Sequence, residues 1–192
     1  MEQNLPDSEP DPAAQENIGR LCDGAVLLAR DALADPNFFA TVVLMCIYSR
    51  ENGGYGLVLN RPSNMPLSEV FDGFTESEGR RRVYIGGPVQ QEELQILEIT
   101  DAGRDQSHQV APRLFLGGKW ESVEEMLLVD PESAHLFLGY SGWAAGQLEN
   151  EISMGAWDVY KIDVEKLLMN PGKMPTMDVM EIGRYLQSLR LS

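Results

Sequence analysis

Gly139-Tyr140-Ser141-Gly142-Trp143-Ala144-Ala145-Gly146-Gln147-Leu148-Glu149 compresses glycines, aromatics and one hydroxyl between an apolar run, His135-Leu136-Phe137-Leu138, and an amphipathic one. The pattern reads as strand, bent loop, helix. Glycines at 139, 142 and 146 permit positive φ or close backbone approach, so a loop this rich in them shapes the main chain around something. Leu148, Ile152 and Ala156 fall on one face of the helix that follows, and Trp157-Asp158-Val159-Tyr160-Lys161-Ile162 returns as a strand.

Upstream, Ala25-Val26-Leu27-Leu28-Ala29 and Thr41-Val42-Val43-Leu44-Met45-Cys46-Ile47-Tyr48 are continuous apolar runs of strand length, as expected of central strands. Asp35-Pro36 between them is a helix-start signal, predicting a short helix that carries Phe38 and Phe39. Asn52-Gly53-Gly54 precedes Tyr55-Gly56-Leu57-Val58-Leu59-Asn60, which predicts a hairpin of 41 to 48 with 55 to 60. After Pro66, the spacing of Leu67, Val70, Phe71 and Phe74 predicts a helix. Val83-Tyr84-Ile85, Leu94 to Ile99 and Leu114-Phe115-Leu116 read as further strands. Ser122 with Glu125 fits a capping box for a helix stopped by Asp130-Pro131, and Asp163 can cap Val164 to Met169. Met177, Met180, Leu186 and Leu189 predict a closing amphipathic helix. Adjacent strands interrupted by single helices indicate an α+β protein rather than a regular parallel winding.

The chain has 192 residues, 43% hydrophobic, close to the size of one domain. Residues 1 to 17 hold Pro6, Pro10 and Pro12 among acidic side chains and read as a disordered tail, with a single domain over 18–192. Lys and Arg number 15 against 30 Asp and Glu, a net charge of -15 that repels phosphate backbones and anionic lipid and so disfavours a nucleic-acid role. The opening residues lack a leader pattern, and no apolar run has the length of a membrane span, so a cytoplasmic protein is expected. Cys22 and Cys46 have no C-x-x-C spacing, and His108 and His135 add no metal constellation.

Gly24 to Ala29, Phe39 to Val43, Gly56-Leu57-Val58-Leu59-Asn60-Arg61-Pro62, Gly86-Gly87-Pro88-Val89, and Gly139-Tyr140-Ser141-Gly142-Trp143 with Gly146-Gln147-Leu148-Glu149 and Trp157 together resemble the bacterial YqgE/AlgH family, also called UPF0301 or DUF179. The resemblance covers everything after the acidic tail. It implies an α+β fold with a curved, barrel-like, mixed and mostly antiparallel sheet and flanking helices, in cytoplasmic proteins without an established activity. Some members carry the label of transcriptional regulator, which supplies no mechanism.

Ser141 invites comparison with the G-x-S-x-G nucleophile elbow, but Gly142 follows it directly and Trp143 stands where a small residue is needed. His135, a candidate base, lies ~20 Å away if six extended residues separate the two. Ser141 as a turn residue is the simpler reading. Cys46 sits inside an apolar strand, where alternation places 42, 44, 46 and 48 on one face and 43, 45 and 47 on the other, both buried. Glycines 139, 142 and 146 do not make a dinucleotide fingerprint, nor does Gly117-Gly118-Lys119-Trp120 make a P-loop. Arg80-Arg81-Arg82, the only basic run, is a solvated strand edge on this reading.

Asn60-Arg61-Pro62 and Gly86-Gly87-Pro88 each end a predicted strand and offer an amide, a guanidinium fork or open N–H groups. If they meet the Gly139 loop at one sheet end, they form a polar cleft walled by Tyr140 and Trp143. Asn60, Arg61, Gly86, Gly87, Tyr140, Ser141, Gly142, Trp143 and Gln147 are therefore the candidate ligand-binding residues, with no catalytic residue, metal or cofactor assigned. Alternatively, Arg61 pairs with a carboxylate and the glycines merely turn. The resulting expectation is a non-catalytic binding or regulatory module for a small molecule or protein partner. Its alternatives are a small-molecule hydrolase or transferase using Ser141 or Cys46, and a transcriptional regulator by family label.

Overall fold

The structure, a computed structural model, describes residues 11–31, 33, 35–66, 69, 82–129, 133–170 and 172–191. Among these, ten strands form one sheet: β1 (Val26–Ala29), β2 (Val42–Ser49), β3 (Gly53–Val58), β4 (Pro62–Pro66), β5 (Arg82–Ile85), β6 (Val89–Ile99), β7 (His108–Ala111), β8 (Leu114–Leu116), β9 (Ala134–Trp143) and β10 (Trp157–Tyr160). The helices are α1 (Pro12–Gly19), α2 (Trp120–Val129), α3 (Gln147–Ser153), α4 (Val164–Leu168) and α5 (Val179–Ser188).

The sheet runs β10-β1-β2-β3-β9-β6-β8-β7, with β5 parallel to β9 and β4 antiparallel to β5. The expected α+β class and mixed, mostly antiparallel sheet are therefore what the chain adopts. The sheet is not closed into a barrel, yet it curls, because β7 returns to the loop before β1. There His108 Nε2 lies 2.8 Å from Asp23 Oδ2, and a Cβ on Gly24 would stand 3.0 Å from the Val110 carbonyl oxygen.

Strand alternation sorts the apolar runs into two faces. Val26, Leu28, Val42, Leu44 and Cys46 pack with Leu167, Ile182 and Leu186 of α4 and α5. Leu27, Ala29, Val43 and Met45 pack on the opposite side with Ala14 of α1 and Leu148 and Ile152 of α3. A third cluster sets Val123, Met126 and Leu127 of α2 against Val83, Ile96, Leu136 and Leu138. The first four strands of the sheet order thus lie between two helical layers, which is why their runs are apolar on both sides.

Several sequence expectations move by physical necessity. β2 and β3 form the expected hairpin, paired from Val43 with Val58 to Ser49 with Gly53, but a bulge falls between Met45 and Ile47. One extra residue reverses the alternation beyond it, so Tyr48 packs on the Val43 side and Ile47 is exposed. Helix α2 begins at Trp120, which places Ser122 inside it instead of at its cap. Asp163 caps α4 by accepting from Lys166 N, and Asp178 with Glu181 forms a full capping box on α5. Met180 faces solvent, and Ile182 with Leu186 carries the buried stripe instead. Ala156 lies past the end of α3, though it is buried as its apolar character requires.

Part of the segment read as a tail is helical. Residues 12–17 belong to α1, where Asp11 accepts from Ala13 N, Pro12 opens the first turn and Ala14 is buried. Asn17 Oδ1 accepts from Val159 N at 3.1 Å, fastening the helix to β10. Residues 1–10, the expected helix of Leu67, Val70, Phe71 and Phe74, the Asp130-Pro131 stop, and Arg80 and Arg81 lie outside the described residues.

Candidate functional site

The glycine-rich segment is strand, where the sequence predicts a bent loop. β9 runs through Trp143 and changes partners on the way: residues 136–138 lie beside β5 and β6, whereas Ser141, Gly142 and Trp143 pair with Gly56, Tyr55 and Gly54 of β3. Gly139 stands at the change with φ +67. Its missing side chain admits two neighbouring carbonyls, Val89 O at 2.7 Å and Gly87 O at 2.8 Å from where a Cβ would be. Gly86 and Gly87 face the same stretch, and a Cβ on either would overlap the Gly139 or Tyr140 carbonyl. The predicted meeting of Gly86-Gly87 with Gly139 therefore occurs, as backbone laid on backbone.

Hydrogen bonds close this junction. Gly86 N donates to Leu138 O and Val58 N to Gly86 O, both at 2.8 Å. Ser141 is fully buried, and its hydroxyl donates to Gly86 O at 3.2 Å. A nucleophile needs access and a base within reach, and Ser141 has its proton committed to a carbonyl. Cys46 is also fully buried; desolvation pushes its thiol up, Asp23 adds to the rise, and the thiolate form is suppressed.

Tyr140 and Trp143 do not wall one cleft. Three positions apart on a strand, they point to opposite faces. Tyr140 stacks on Tyr55 with centroids 4.4 Å apart, and the Tyr55 hydroxyl donates to Gln95 Oε1 at 2.6 Å. Trp143 is buried in an aromatic cluster with Phe38 and Trp157, at centroid distances of 5.8 and 6.0 Å.

One carboxylate organises that cluster. Glu151 Oε2 accepts from the indole N–H of Trp143 at 3.0 Å and of Trp157 at 2.7 Å. Gln147 Nε2 donates to Glu151 Oε1 at 2.9 Å, while Gln147 Oε1 accepts from Ala144 N at 3.1 Å. Trp143, Gln147 and Trp157 thus share a structural clamp on the half-buried Glu151, with the tryptophans buried and Gln147, its orienting member, at the surface.

Asn60 and Arg61 serve the loop before β2. Asn60 Oδ1 accepts from Val42 N, and its Nδ2 donates to Ala40 O, both at 2.9 Å. The Arg61 guanidinium donates to Asn37 O and Phe39 O, and partial burial pulls its pKa down. Of the nine candidates, Gly86, Gly87, Ser141 and the backbone of Tyr140 come together at the junction. Asn60 and Arg61 hold a neighbouring loop, and Gly142 is exposed on β9.

A cleft that sequence reasoning missed opens between α1 and the end of β2. It has a volume of about 580 Å³ and is lined by Gln15, Ile18, Gly19, Tyr48 and Arg50. The Tyr48 hydroxyl donates to Glu149 Oε1 at 2.8 Å, and the second carboxylate oxygen of Glu149 is buried without a hydrogen-bond partner. Burial and that bond to Glu149 push Tyr48 up to about 12. Glu149 stood in the quoted Gly146-Gln147-Leu148-Glu149 motif, but the bulge that turns Tyr48 toward it has no signature in the sequence. Among the described residues no group of three or more His, Cys, Asp or Glu is placed to hold a metal ion. No helix there is long and apolar enough to cross a membrane.

The profile of the DUF179 family, described as AlgH-like, matches residues 26–181, a span that includes the junction, the clamp and Glu149. The chain belongs to the AlgH-like DUF179 family. A UPF0301 protein of Chlorobaculum tepidum is 38% identical over 137 residues, covering 70% of this chain and 72% of that one. Another, of Chlorobium luteolum, is 35% identical over 161 residues and covers 82% of each. The solution structure of the AlgH protein from Pseudomonas aeruginosa superposes with TM-score 0.68 at 26% identity, over 98% of this chain and 92% of that one. A crystal structure of a Corynebacterium diphtheriae protein gives 0.59 at 26% identity over 83% of each. The DUF179 fold and the resemblance read from the quoted motifs agree.

Proposed function

We propose that this DUF179 protein is a non-catalytic binding module of the cytoplasm, with a regulatory role exerted through its ligand or partner, and that its receptor site is the cleft between α1 and the end of β2. The carrying observation is the buried, unpartnered Oε2 of Glu149, whose other oxygen accepts from Tyr48, a residue that lines the cleft. A buried carboxylate oxygen without a donor costs free energy, and a ligand N–H that reaches it recovers that cost. Arg50 at the cleft suits an acidic group on the same ligand, and Ile18 with the Tyr48 ring suits an apolar portion. The favoured ligand is a small, amino-acid-like molecule with an amine or amide donor. Two cysteines without a disulfide fit a reducing compartment.

The hydrolase or transferase alternative loses support because Ser141 and Cys46 are both fully buried. A transcriptional role on DNA gains none from a net charge of -15.

The test is ligand-observed NMR with the free amino acids and their N-acetylated forms, repeated on the Glu149→Gln variant. Glutamine replaces the acceptor with a donor, so compounds with a free amine lose affinity in the variant by about tenfold. If no compound binds with an affinity that depends on position 149, the reading is wrong.

A further inference from the structure

On the other side of α1 the charge of the molecule inverts. Two adjoining clefts of about 140 and 170 Å³ share Arg20, Val159, Tyr160 and Arg190. Lys161 lines the first, and Asn17 with Gln187 lines the second. Three elements build this groove: the end of α1, strand β10 and the chain after α5. An isolated antiparallel bridge between Ile162 and Arg190, with Asp163 N donating to Leu189 O at 2.9 Å, holds that last segment beside β10.

The groups in the groove are unequally satisfied. Arg20 is anchored by Glu16, by Asn17 Oδ1 and by the Val159 carbonyl. Asp158, the carboxylate lining the second cleft, is taken by Arg30 at 3.2 Å. Arg190 and Lys161 have no ion pair among the described residues, although the chain carries 30 carboxylates for 15 Lys and Arg. Tyr160 is 7% exposed, and its hydroxyl makes no hydrogen bond among the described residues. Burial and, after it, Asp158 raise the Tyr160 phenol, partly offset by Arg190, Arg30 and Arg20.

We infer that the groove between Arg20, Tyr160, Lys161 and Arg190 is a binding site for a small phosphate-bearing anion. Guanidinium forks match phosphate oxygens bidentately, an ammonium adds a point charge, and the phenol supplies a neutral donor. Clefts of this size admit a phosphate with a small organic group. A net charge of -15 repels a nucleic acid or an anionic bilayer from the remaining surface, so the ligand is a free small molecule. The site is separate from the Glu149 cleft and stands or falls without it.

Amide NMR of the full chain, titrated with inorganic phosphate against chloride at constant ionic strength, tests the inference. The expected result is a saturable shift of the Val159, Tyr160, Lys161 and Arg190 amides, with vesicles of anionic lipid giving no such shift. Arg190→Gln weakens binding by about tenfold and Lys161→Gln by a smaller factor, both with an unchanged melting temperature because both side chains are exposed. Tyr160→Phe keeps the ring and loses part of the affinity. Absence of a saturable shift, equal affinity in the Arg190→Gln and Lys161→Gln variants, or saturation at Gln15 and Arg50 instead would each overturn it.

Discussion

A Cβ on Gly139 would stand 2.8 Å from the carbonyl oxygen of Gly87, so the backbone of β9 and the segment after β5 touch with no side chain between them. This contact lies where β9 passes from its β5 and β6 neighbours to β3, and it joins the two parts of the sheet. The substitution Gly139→Ala meets both that oxygen and a φ of +67. It is expected to cost about 3 kcal/mol, the sum of a left-handed backbone penalty and overpacking. Gly19→Ala at the end of α1, with nothing within 4 Å, is the control and should leave urea unfolding unchanged or slightly stabilised. Equal midpoints for the two variants would contradict the junction's role.

The Glu151 clamp predicts a graded response. Glu151→Ala strands two indole donors, Trp143 and Trp157, in a buried site and should lower stability by about 3 kcal/mol. Glu151→Gln retains one acceptor oxygen and should cost about 1 kcal/mol. Chemical denaturation followed by tryptophan fluorescence reads both. A Glu151→Ala protein as stable as its parent would mean that the two hydrogen bonds contribute nothing net.

The two thiols should behave differently toward a thiol reagent. Cys22 is partly exposed and Cys46 fully buried with its thiol pushed up, so native protein is labelled at Cys22 alone. Labelling of Cys46 should follow the rate of unfolding, with mass spectrometry assigning the site. Rapid native modification of Cys46 would revive a nucleophilic role for it.

Alkaline pH should weaken the fold through Tyr48. In the unfolded chain a tyrosine loses its proton near ~10, whereas burial and the bond to Glu149 push Tyr48 up to about 12 in the folded protein. The folded state therefore holds the proton longer. The contribution of Tyr48 is fully present below pH ~10 and is lost as pH rises from there toward about 12. Tyr48→Phe should flatten that part of the stability profile and remove a step near pH 12 from an ultraviolet phenolate titration. An unchanged profile would show that the hydroxyl is free of Glu149 in solution.

The runs at 25–29 and 41–48 were readable as strands because only burial on both faces explains them, and the hairpin of 41–48 with 55–60 because Asn52-Gly53-Gly54 marks a turn, although β3 starts inside that turn at Gly53. The cap of Asp163 was readable for a similar reason: its hydrogen bond spans three residues. The close backbone approach around Gly86, Gly87 and Gly139 was legible too, since glycines in that density permit it. The role of the candidate residues was not, because Tyr140 and Trp143 separate only once the segment is known to be strand, and a loop reading hides the alternation.

By itself, then, the sequence determined most of the apolar strands, the α+β class and the family, all properties of short-range pattern and of motifs in order. Tertiary structure decided that Gly86, Gly87 and Gly139 serve a backbone contact, that Glu151 and Gln147 serve two buried tryptophans, and that one oxygen of Glu149 is left without a hydrogen-bond partner. Those assignments depend on which groups are already hydrogen-bonded and which face solvent, and both follow from contacts between residues as far apart as Tyr48 and Glu149 or Arg20 and Arg190.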